Sequence, residues 1–106
     1  MLPAYSETAP ERSDLESSKG HLLLEFGSNG CGICRAATPL IDAAVAKLPE
    51  LPHVRVQDGQ GKRLGRSFSV KLWPTLILLN DGVEVARLVR PAHADQMDVL
   101  LAHARP

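Results

Sequence analysis

The sequence predicts an α/β fold in which helices cover both faces of a central mixed β-sheet. Short apolar runs alternate along the chain with segments whose apolar residues recur at helical spacing. The last two predicted strands are joined by Asn80-Asp81-Gly82, a sequence typical of a tight hairpin turn. Strand–helix–strand connections favour parallel pairs and the hairpin gives an antiparallel pair. The sheet is therefore expected to be mixed, with the element order β, α, β, α, β, α, β, β, α.

Length, composition and charge limit the classes of protein to consider. The chain has 106 residues, of which 44% are hydrophobic, and this suits a single domain, residues 1–106, with an aliphatic core. Its 12 basic residues balance 12 acidic ones, so no strong field would attract nucleic acid or an anionic membrane. No apolar run approaches the roughly 20 residues that span a bilayer, and no signal peptide is visible. We expect a soluble, cytoplasmic monomer that binds neither nucleic acid nor membranes.

The N-terminal part of the chain contains three predicted elements. Residues 2–6 are expected to form a short edge strand. Thr8 and Pro10 are typical of a helix start, and Gly20 marks the end of that helix. Residues 21–26 are almost continuously apolar, as expected for a central strand that is covered on both faces.

The middle of the chain contains the longest predicted helix. Beyond Cys34, apolar residues recur at helical spacing up to Leu48 and stop before Pro49, which predicts about four helical turns. Pro39 lies inside this helix and predicts a kink. Residues 53–57 alternate between apolar and polar side chains and predict a strand.

The C-terminal part supplies the remaining elements. The patterns predict a weak helix over residues 60–68, a buried strand over 75–79, its hairpin partner over 83–89 and a last helix over 94–104. That last helix presents one apolar face, formed by Met97, Leu100 and Leu101.

Both cysteines of the chain lie in the motif Cys31-Gly32-Ile33-Cys34, directly after a predicted strand. If Cys31 starts a helix, Cys34 follows almost one turn later on the same face, close enough to form a disulfide with it. The free N–H groups and the dipole at a helix start lower the pKa of Cys31 and favour it as the nucleophile. Cys34, inside the helix, is expected to be more buried and less acidic. The motif thus predicts redox chemistry.

Together with residues farther along the chain, this motif resembles the thioredoxin family. The matching residues, in family order, are Phe26, the Cys31-Gly32-X-Cys34 motif, Pro39, Asp42, Trp73-Pro74-Thr75 and Gly82. The resemblance covers nearly the whole chain. It implies a thioredoxin-like fold and a thiol–disulfide oxidoreductase that acts on protein clients. In this reaction Cys31 attacks a client disulfide and Cys34 resolves the mixed disulfide.

The resemblance also implies a surface that contacts the client. The peptide bond before Pro74 is expected to be cis and to face the disulfide, and Trp73 is expected to pair its backbone with the client. Arg90 replaces a glycine that is usual in the family and could bind an acidic partner or a glutathione carboxylate; a rim arginine without such a role is the alternative. The expected client-contacting residues are Gly32, Ile33, Trp73, Pro74, Thr75 and Arg90.

Glu25 matches the buried acid of the family, which helps to move a proton to or from the resolving thiol. Burial of a carboxylate in an apolar strand is expected to raise its pKa, which suits proton transfer near neutral pH. Arg55 falls where the family often has a lysine, and there it would hold the pKa of Glu25 down. The alternative is that both side chains are ordinary solvated strand residues.

The chain departs from the family pattern around the motif. Gly30 replaces a tryptophan and Ile33 replaces a proline, which predicts a flexible, small-residue approach to Cys31 and a less strongly reducing pair. No cofactor is expected beyond the Cys31–Cys34 disulfide, so thioredoxin reductase or another thiol would restore the dithiol.

Two other classes of function remain open from the sequence. A non-catalytic binding or assembly protein could use the fold with its cysteines idle, and slow, buried thiols would favour that class. A metal carrier could use Cys31 and Cys34, but the four histidines are scattered and a single CxxC is a weak zinc signal, so no metal is expected.

Overall fold

The computed structural model describes residues 1–105, and within them it contains four helices and four strands. In chain order they are α1 (Arg12–Glu16), β1 (His21–Gly27), α2 (Gly32–Val45), β2 (His53–Gln57), α3 (Arg63–Ser67), β3 (Thr75–Asn80), β4 (Val83–Val89) and α4 (Ala94–Ala102).

The strands form one mixed sheet in the order β2-β1-β3-β4. β1 is parallel to β2 and antiparallel to β3, and β3 and β4 form the predicted hairpin. The parallel register places Glu25 beside Arg55. β1 is an interior strand, and its carboxyl end leads into the loop that ends at Cys31.

Apolar clusters cover both faces of the sheet, as predicted. On one face α2 and α4 pack against Leu23, Leu76 and Leu78. On the other face, residues of α1 and α3 pack against Phe26 and Ile77. Neighbouring residues of β1 therefore serve opposite clusters, and Glu25, two residues from Leu23, points to the α2 face.

The prediction of a strand over residues 2–6 is wrong. Only Ser6 forms a bridge, to Val56. The backbone N–H and carbonyl of Tyr5 are occupied by the side chain of Asn29 and not by a strand. A side chain that takes both backbone groups of Tyr5 prevents a ladder from extending beyond Ser6.

Most predicted helices are longer than the observed ones. The first begins at Arg12, after the N-cap Glu11, and not near Thr8. α2 ends at Val45, because the chain tightens into turn bonds such as that from Leu48 N to Val45 O. α3 covers only Arg63–Ser67, since Gly59 and Gly61 before it have positive φ angles and cannot be helical. α4 ends two residues before the predicted 104, whereas β3 extends one residue past the predicted 79.

The hairpin turn has the predicted conformation. Asp81 and Gly82 have φ angles of 51° and 79°, and two successive positive angles are the geometry of a type I′ turn. A Cβ at Gly82 would also overlap the carbonyl of Glu16. The glycine is thus needed both for the turn and for the close approach of Glu16, the last residue of α1.

Candidate active site

Cys31 and Cys34 lie at the start of α2. Cys31 is the N-cap residue, and the backbone N–H of Cys34 donates to its Sγ at 3.2 Å. Cys31 is partly exposed, whereas Cys34 is 1% exposed. The structure therefore confirms that the accessible thiol lies at the helix start and the buried one inside the first turn.

The two thiols differ in acidity in the predicted direction. Burial acts to raise the pKa of Cys31, but hydrogen bonds from Cys34 and from the N–H of Ile33, with the charge of Arg90, hold it below its usual value. Burial raises the pKa of Cys34 to about 11, and its hydrogen bond with Cys31 adds to this effect. Of the two thiols, Cys31 is therefore the more acidic.

The loop before β3 contains the predicted cis bond between Trp73 and Pro74. Pro74 is fully buried, and Thr75 is 1% exposed with its hydroxyl donating to the carbonyl of Leu72 at 2.6 Å. Trp73 is half-buried, and its Nε1 donates to Oδ2 of Asp58 at 2.9 Å. The accessible surface of this loop thus comes from Trp73 and from Leu72, which is 48% exposed, and not from the side chains of Pro74 and Thr75.

Arg90 is exposed but is not an isolated rim residue. Its Nε donates to the carbonyl of Trp73 at 2.8 Å, and its backbone N–H donates to the carbonyl of Pro74 at 2.9 Å. Its φ angle is 52°, in the region where the family's usual glycine is unstrained. Arg90 therefore occupies the carbonyl of Trp73, the residue whose backbone is expected from the family resemblance to pair with a client.

An open groove of about 660 Å³ runs beside the motif. Ile33, which is 46% exposed, and Arg90 lie along it. The other lining residues are apolar or proline: Ala36, Ala37, Pro39, Leu40, Ala43, Pro91 and Ala92. The groove offers an apolar surface with one positive charge close to the accessible thiol.

Glu25, on β1, is completely buried. Arg55 donates to both carboxylate oxygens at 3.0 Å, and Tyr5 donates its hydroxyl proton to Oε2. Nε2 of His53 lies 2.8 Å from Oε1. The alternative of solvated side chains is wrong, since Arg55 is itself only 6% exposed.

The predicted rise in the pKa of Glu25 is also wrong. Burial acts to raise this pKa, but hydrogen bonds from His53, Arg55 and Tyr5 outweigh it and hold it below the usual carboxyl value. Period-two spacing could have placed His53 on the face of Arg55, because two residues separate them in a strand. No sequence signal identified Tyr5, because it comes from a segment without regular structure.

The approach to Cys31 is better fixed than its small residues suggest. Asn29 exchanges two hydrogen bonds with the backbone of Tyr5, and its own N–H donates to Gln57 Oε1 at 3.0 Å. The N–H of Cys31 donates to the carbonyl of Ser28 at 3.1 Å. The sequence predicts a flexible approach to Cys31, whereas the structure shows a hydrogen-bonded loop.

Residues 1–105 lack two further features. That part of the chain has no group of three or more His, Cys, Asp or Glu side chains arranged to hold a metal ion. It also has no helix with the length and apolar character required to cross a bilayer.

Comparison with known proteins decides which family this site belongs to. The thioredoxin family profile matches residues 5–103. The chain belongs to the thioredoxin family. It is 34% identical to thioredoxin of Chlamydia trachomatis serovar D over 85 residues, which cover 80% of this chain and 83% of that protein.

Solved structures of thioredoxins have the same fold. Reduced thioredoxin 2 from Pseudomonas aeruginosa PAO1 superposes with a TM-score of 0.86 and 48% identity, covering 96% of this chain and 95% of that one. Thioredoxin NaTrxh from Nicotiana alata gives a TM-score of 0.75 with 25% identity, covering 90% and 82% of the two chains.

Membership of the family establishes the general activity. The protein is a thioredoxin-type thiol–disulfide oxidoreductase, a protein-disulfide reductase with a CxxC pair. Cys31 and Cys34 are that pair. Thioredoxins act on protein disulfides, so the class of client follows from the family.

Proposed function

We propose that Cys31 is the nucleophile and Cys34 the resolving thiol of this reductase. The Cys31 thiolate attacks one sulfur of a client disulfide, and the other client sulfur leaves with the electron pair. Cys34, after losing its proton, attacks Cys31 Sγ and breaks the mixed disulfide. The client is reduced by two electrons, and Cys31–Cys34 becomes a disulfide.

The opposite environments of the two thiols carry this assignment. Cys31 caps α2, is accessible and has a lowered pKa, whereas Cys34 is buried and has a raised one. A client disulfide can approach only the accessible sulfur. The N–H of Cys34, at 3.2 Å, stabilises negative charge on Cys31 Sγ.

The client surface is proposed to be the groove beside Cys31 together with the accessible part of the Trp73 loop. Ile33 lies along the groove, the exposed Gly32 precedes it in the chain, and Arg90 supplies positive charge. Pro74 and Thr75 would act by shaping this loop, because both are buried. A client segment with apolar side chains and an acidic residue near its disulfide fits this surface best.

Glu25 is proposed to accept the proton of Cys34 during resolution. Its lowered pKa keeps it ionised near neutral pH, so it is available as a base without prior loss of a proton. Arg55 and His53 hold the carboxylate in place.

The electron donor, the cellular compartment and the oligomeric state are proposed from the sequence. Thioredoxin reductase or another thiol would reduce the Cys31–Cys34 disulfide after each turnover. We further propose that the chain acts as a cytoplasmic monomer formed by one domain. Ile33 in place of proline favours a pair that is less strongly reducing.

A redox titration tests the proposed roles. Protein equilibrated with defined thiol buffers is alkylated, and the oxidised fraction is read by mass. We expect one reversible two-electron transition between roughly −270 and −120 mV. Cys34→Ser is expected to accumulate a mixed disulfide with a client, and Cys31→Ser to form none. Absence of a reversible transition would contradict the assignment and favour a binding protein with idle cysteines.

A further inference from the structure

The hydroxyl of Thr38 connects the backbone of Cys34 to the buried ion pair. Thr38 lies on α2, one turn after Cys34. Its Oγ1 donates to the carbonyl of Cys34 at 2.8 Å and accepts from Nη2 of Arg55 at 3.1 Å. The same guanidinium donates to both carboxylate oxygens of Glu25 at 3.0 Å. A continuous series of hydrogen bonds therefore leads from Glu25, on β1, to the carbonyl of Cys34.

The direction of these bonds is fixed by the groups that donate them. A guanidinium has only N–H donors, so the Thr38 oxygen accepts from Arg55 and the single Thr38 proton is left for another acceptor. The carbonyl of Cys34 takes that proton. A hydrogen bond from a charged donor is stronger than a neutral one, and successive bonds in one direction reinforce each other. The charge of Arg55 thus strengthens the bond that holds the Cys34 carbonyl.

Arg55 is itself held firmly, so it can act as an anchor. The residue is 6% exposed, and its Nη1 donates to the carbonyl of Pro3. Its guanidinium carbon lies 4.1 Å from the ring centre of Tyr5. Together with the two bonds to Glu25, these contacts fix the planar fork of the guanidinium. The position of the Thr38 oxygen is therefore set from the sheet.

The helical turn that Thr38 spans lacks one backbone hydrogen bond. Pro39 follows Thr38 inside α2. Because proline has no N–H, the carbonyl of Arg35 receives no bond from the residue four positions later, and a helix bends most easily at such a place. The Thr38 side chain adds a bond to the carbonyl of Cys34 in the same turn. The start of α2 is thus fastened to the sheet where its own hydrogen bonding is incomplete.

We propose that Thr38 positions Cys34 for its attack on Cys31. Holding two reacting groups in place favours the rate and the equilibrium of ring closure. In the part of the chain that the structure describes, the hydroxyl contacts Arg55 and the Cys34 carbonyl and neither sulfur. Thr38 is therefore a positioning residue that exchanges no proton or electron. This inference rests on the roles proposed above for Cys31 and Cys34, and the bonds formed and broken are those given there.

Thr38→Val tests this role, since it removes the hydroxyl and keeps the branched shape of the side chain. Reduced protein is mixed with an equimolar amount of dithionitrobenzoate in a stopped-flow instrument. Attack by Cys31 releases one coloured thiolate, and resolution by Cys34 releases the second. We expect an unchanged first phase and a second phase slowed about 3- to 10-fold, as for the loss of one hydrogen bond. An unchanged second phase, or equal slowing of both phases, would overturn the proposal.

The reduction potential is a second readout, one that a merely structural role would not move. If Thr38 brings Cys34 to Cys31, loss of its hydroxyl should disfavour the disulfide about 3- to 10-fold at equilibrium. Thr38→Val should then raise the potential by about 14–30 mV, since a tenfold change in a two-electron equilibrium is about 30 mV. Titration against thiol buffers measures this shift. A potential equal to or below that of wild type would contradict the positioning role.

Three further variants separate positioning from a loss of stability. Thr38→Ser keeps the hydroxyl and should match wild type in both assays. Val45→Ala trims a core-packing side chain at the last residue of α2 and should also match wild type. If either variant slows as much as Thr38→Val, the proposal is wrong. Thr38→Ala lacks the hydroxyl too, and a wild-type second phase in it would refute the proposal even if Thr38→Val failed to fold.

Failure of the underlying thiol roles has a different signature. It would appear in the wild-type protein itself, as a reaction with dithionitrobenzoate that lacks two phases. The Thr38 proposal fails instead when wild type shows both phases and the variants without the hydroxyl show the same second phase.

Discussion

Arg90 links the loop before β3 to the electrostatics of Cys31. It donates to the carbonyls of Trp73 and Pro74, and its charge contributes to the lowered pKa of Cys31. One exposed residue thus contacts the loop before β3 and favours the thiolate form of Cys31. Loss of this side chain should affect the chemistry of Cys31 without affecting the core.

We predict that Arg90→Ala raises the pKa of Cys31. Its alkylation by iodoacetamide at pH 6 should slow by up to about fivefold, since an exposed charge interaction is worth up to about 1 kcal/mol. The measurement is the alkylation rate against pH, followed by mass. Arg66→Ala, an exposed arginine of α3, is the matched control and should leave the profile unchanged; equal profiles for both variants would refute the role of Arg90.

Removal of Arg55 should strongly destabilise the fold, because it leaves Glu25 buried without its main partner. We predict that Arg55→Met lowers the free energy of unfolding at pH 7 by about 3–5 kcal/mol. Urea unfolding measures this change. Arg87→Met is the control, since Arg87 pairs with Glu84 at the partly exposed surface and should cost only about 0–1 kcal/mol. Similar losses in the two variants would contradict the prediction.

The pH dependence of stability should separate wild type from the Arg55 variant. The pKa of Glu25 is lowered in the folded protein, so its contribution is present above the ordinary carboxyl value of 4.5 and is lost as the pH falls through the folded pKa. In Arg55→Met burial dominates and the pKa rises, so Glu25 should instead favour folding in acid. Urea midpoints between pH 3 and 6 test this sign, and a parallel decline in both proteins would refute it.

At the scale of elements, the β3–β4 turn also fixes the end of α1. Gly82 combines a positive φ angle with a close approach to the Glu16 carbonyl, whereas Gly20 has a positive φ angle of 75° and open space around it. Substitution of the two glycines therefore separates the free-energy cost of a left-handed backbone from the additional cost of steric overlap.

We predict that Gly82→Ala is the more damaging of the two changes. Gly20→Ala should cost about 1–2 kcal/mol, the usual cost of a left-handed conformation for an L-residue. Gly82→Ala adds about 1–3 kcal/mol for overpacking. Chemical denaturation gives both values, and an equal loss in the two variants would show that the end of α1 moves freely away from the turn.

The elements that the sequence predicted well are those whose signal is local. The Asn80-Asp81-Gly82 turn and the apolar run of β1 specify their structures through backbone preference and burial. A strand was predicted over residues 2–6, but Asn29, far along the chain, occupies both backbone groups of Tyr5. A contact of that kind has no local signature.

At the scale of the whole molecule, the sheet order makes β1 and β3 its interior strands. We predict that amides of Leu23, Leu24 and Leu78 exchange slowest with solvent, since opening them requires global unfolding. The edge strand β4, with Val83 65% exposed, should exchange faster. Native-state hydrogen exchange followed by NMR tests this ranking, and slower exchange in β4 than in β1 would contradict it.

The site was predictable to the extent that the fold determines it. The helix start after β1 set the acidity order of Cys31 and Cys34 from sequence alone, and burial of Glu25 followed from its strand. The direction of the pKa of Glu25 did not follow, because it depends on hydrogen bonds from Tyr5 and His53 that three separate segments bring together. When burial and several hydrogen bonds shift a pKa in opposite directions, the direction of the net shift follows only from the three-dimensional structure.

The Cys31 cap couples folding to reduction potential. Since the fold stabilises the Cys31 thiolate, the thiolate stabilises the fold by the same amount, and the dithiol form gains stability as the pH rises from the folded pKa of Cys31 toward 9. Above 9 the raised pKa of Cys34 reverses this gain. The disulfide form has neither ionisation. Each contact that favours the thiolate therefore stabilises the dithiol relative to the disulfide, and makes the oxidised protein easier to reduce.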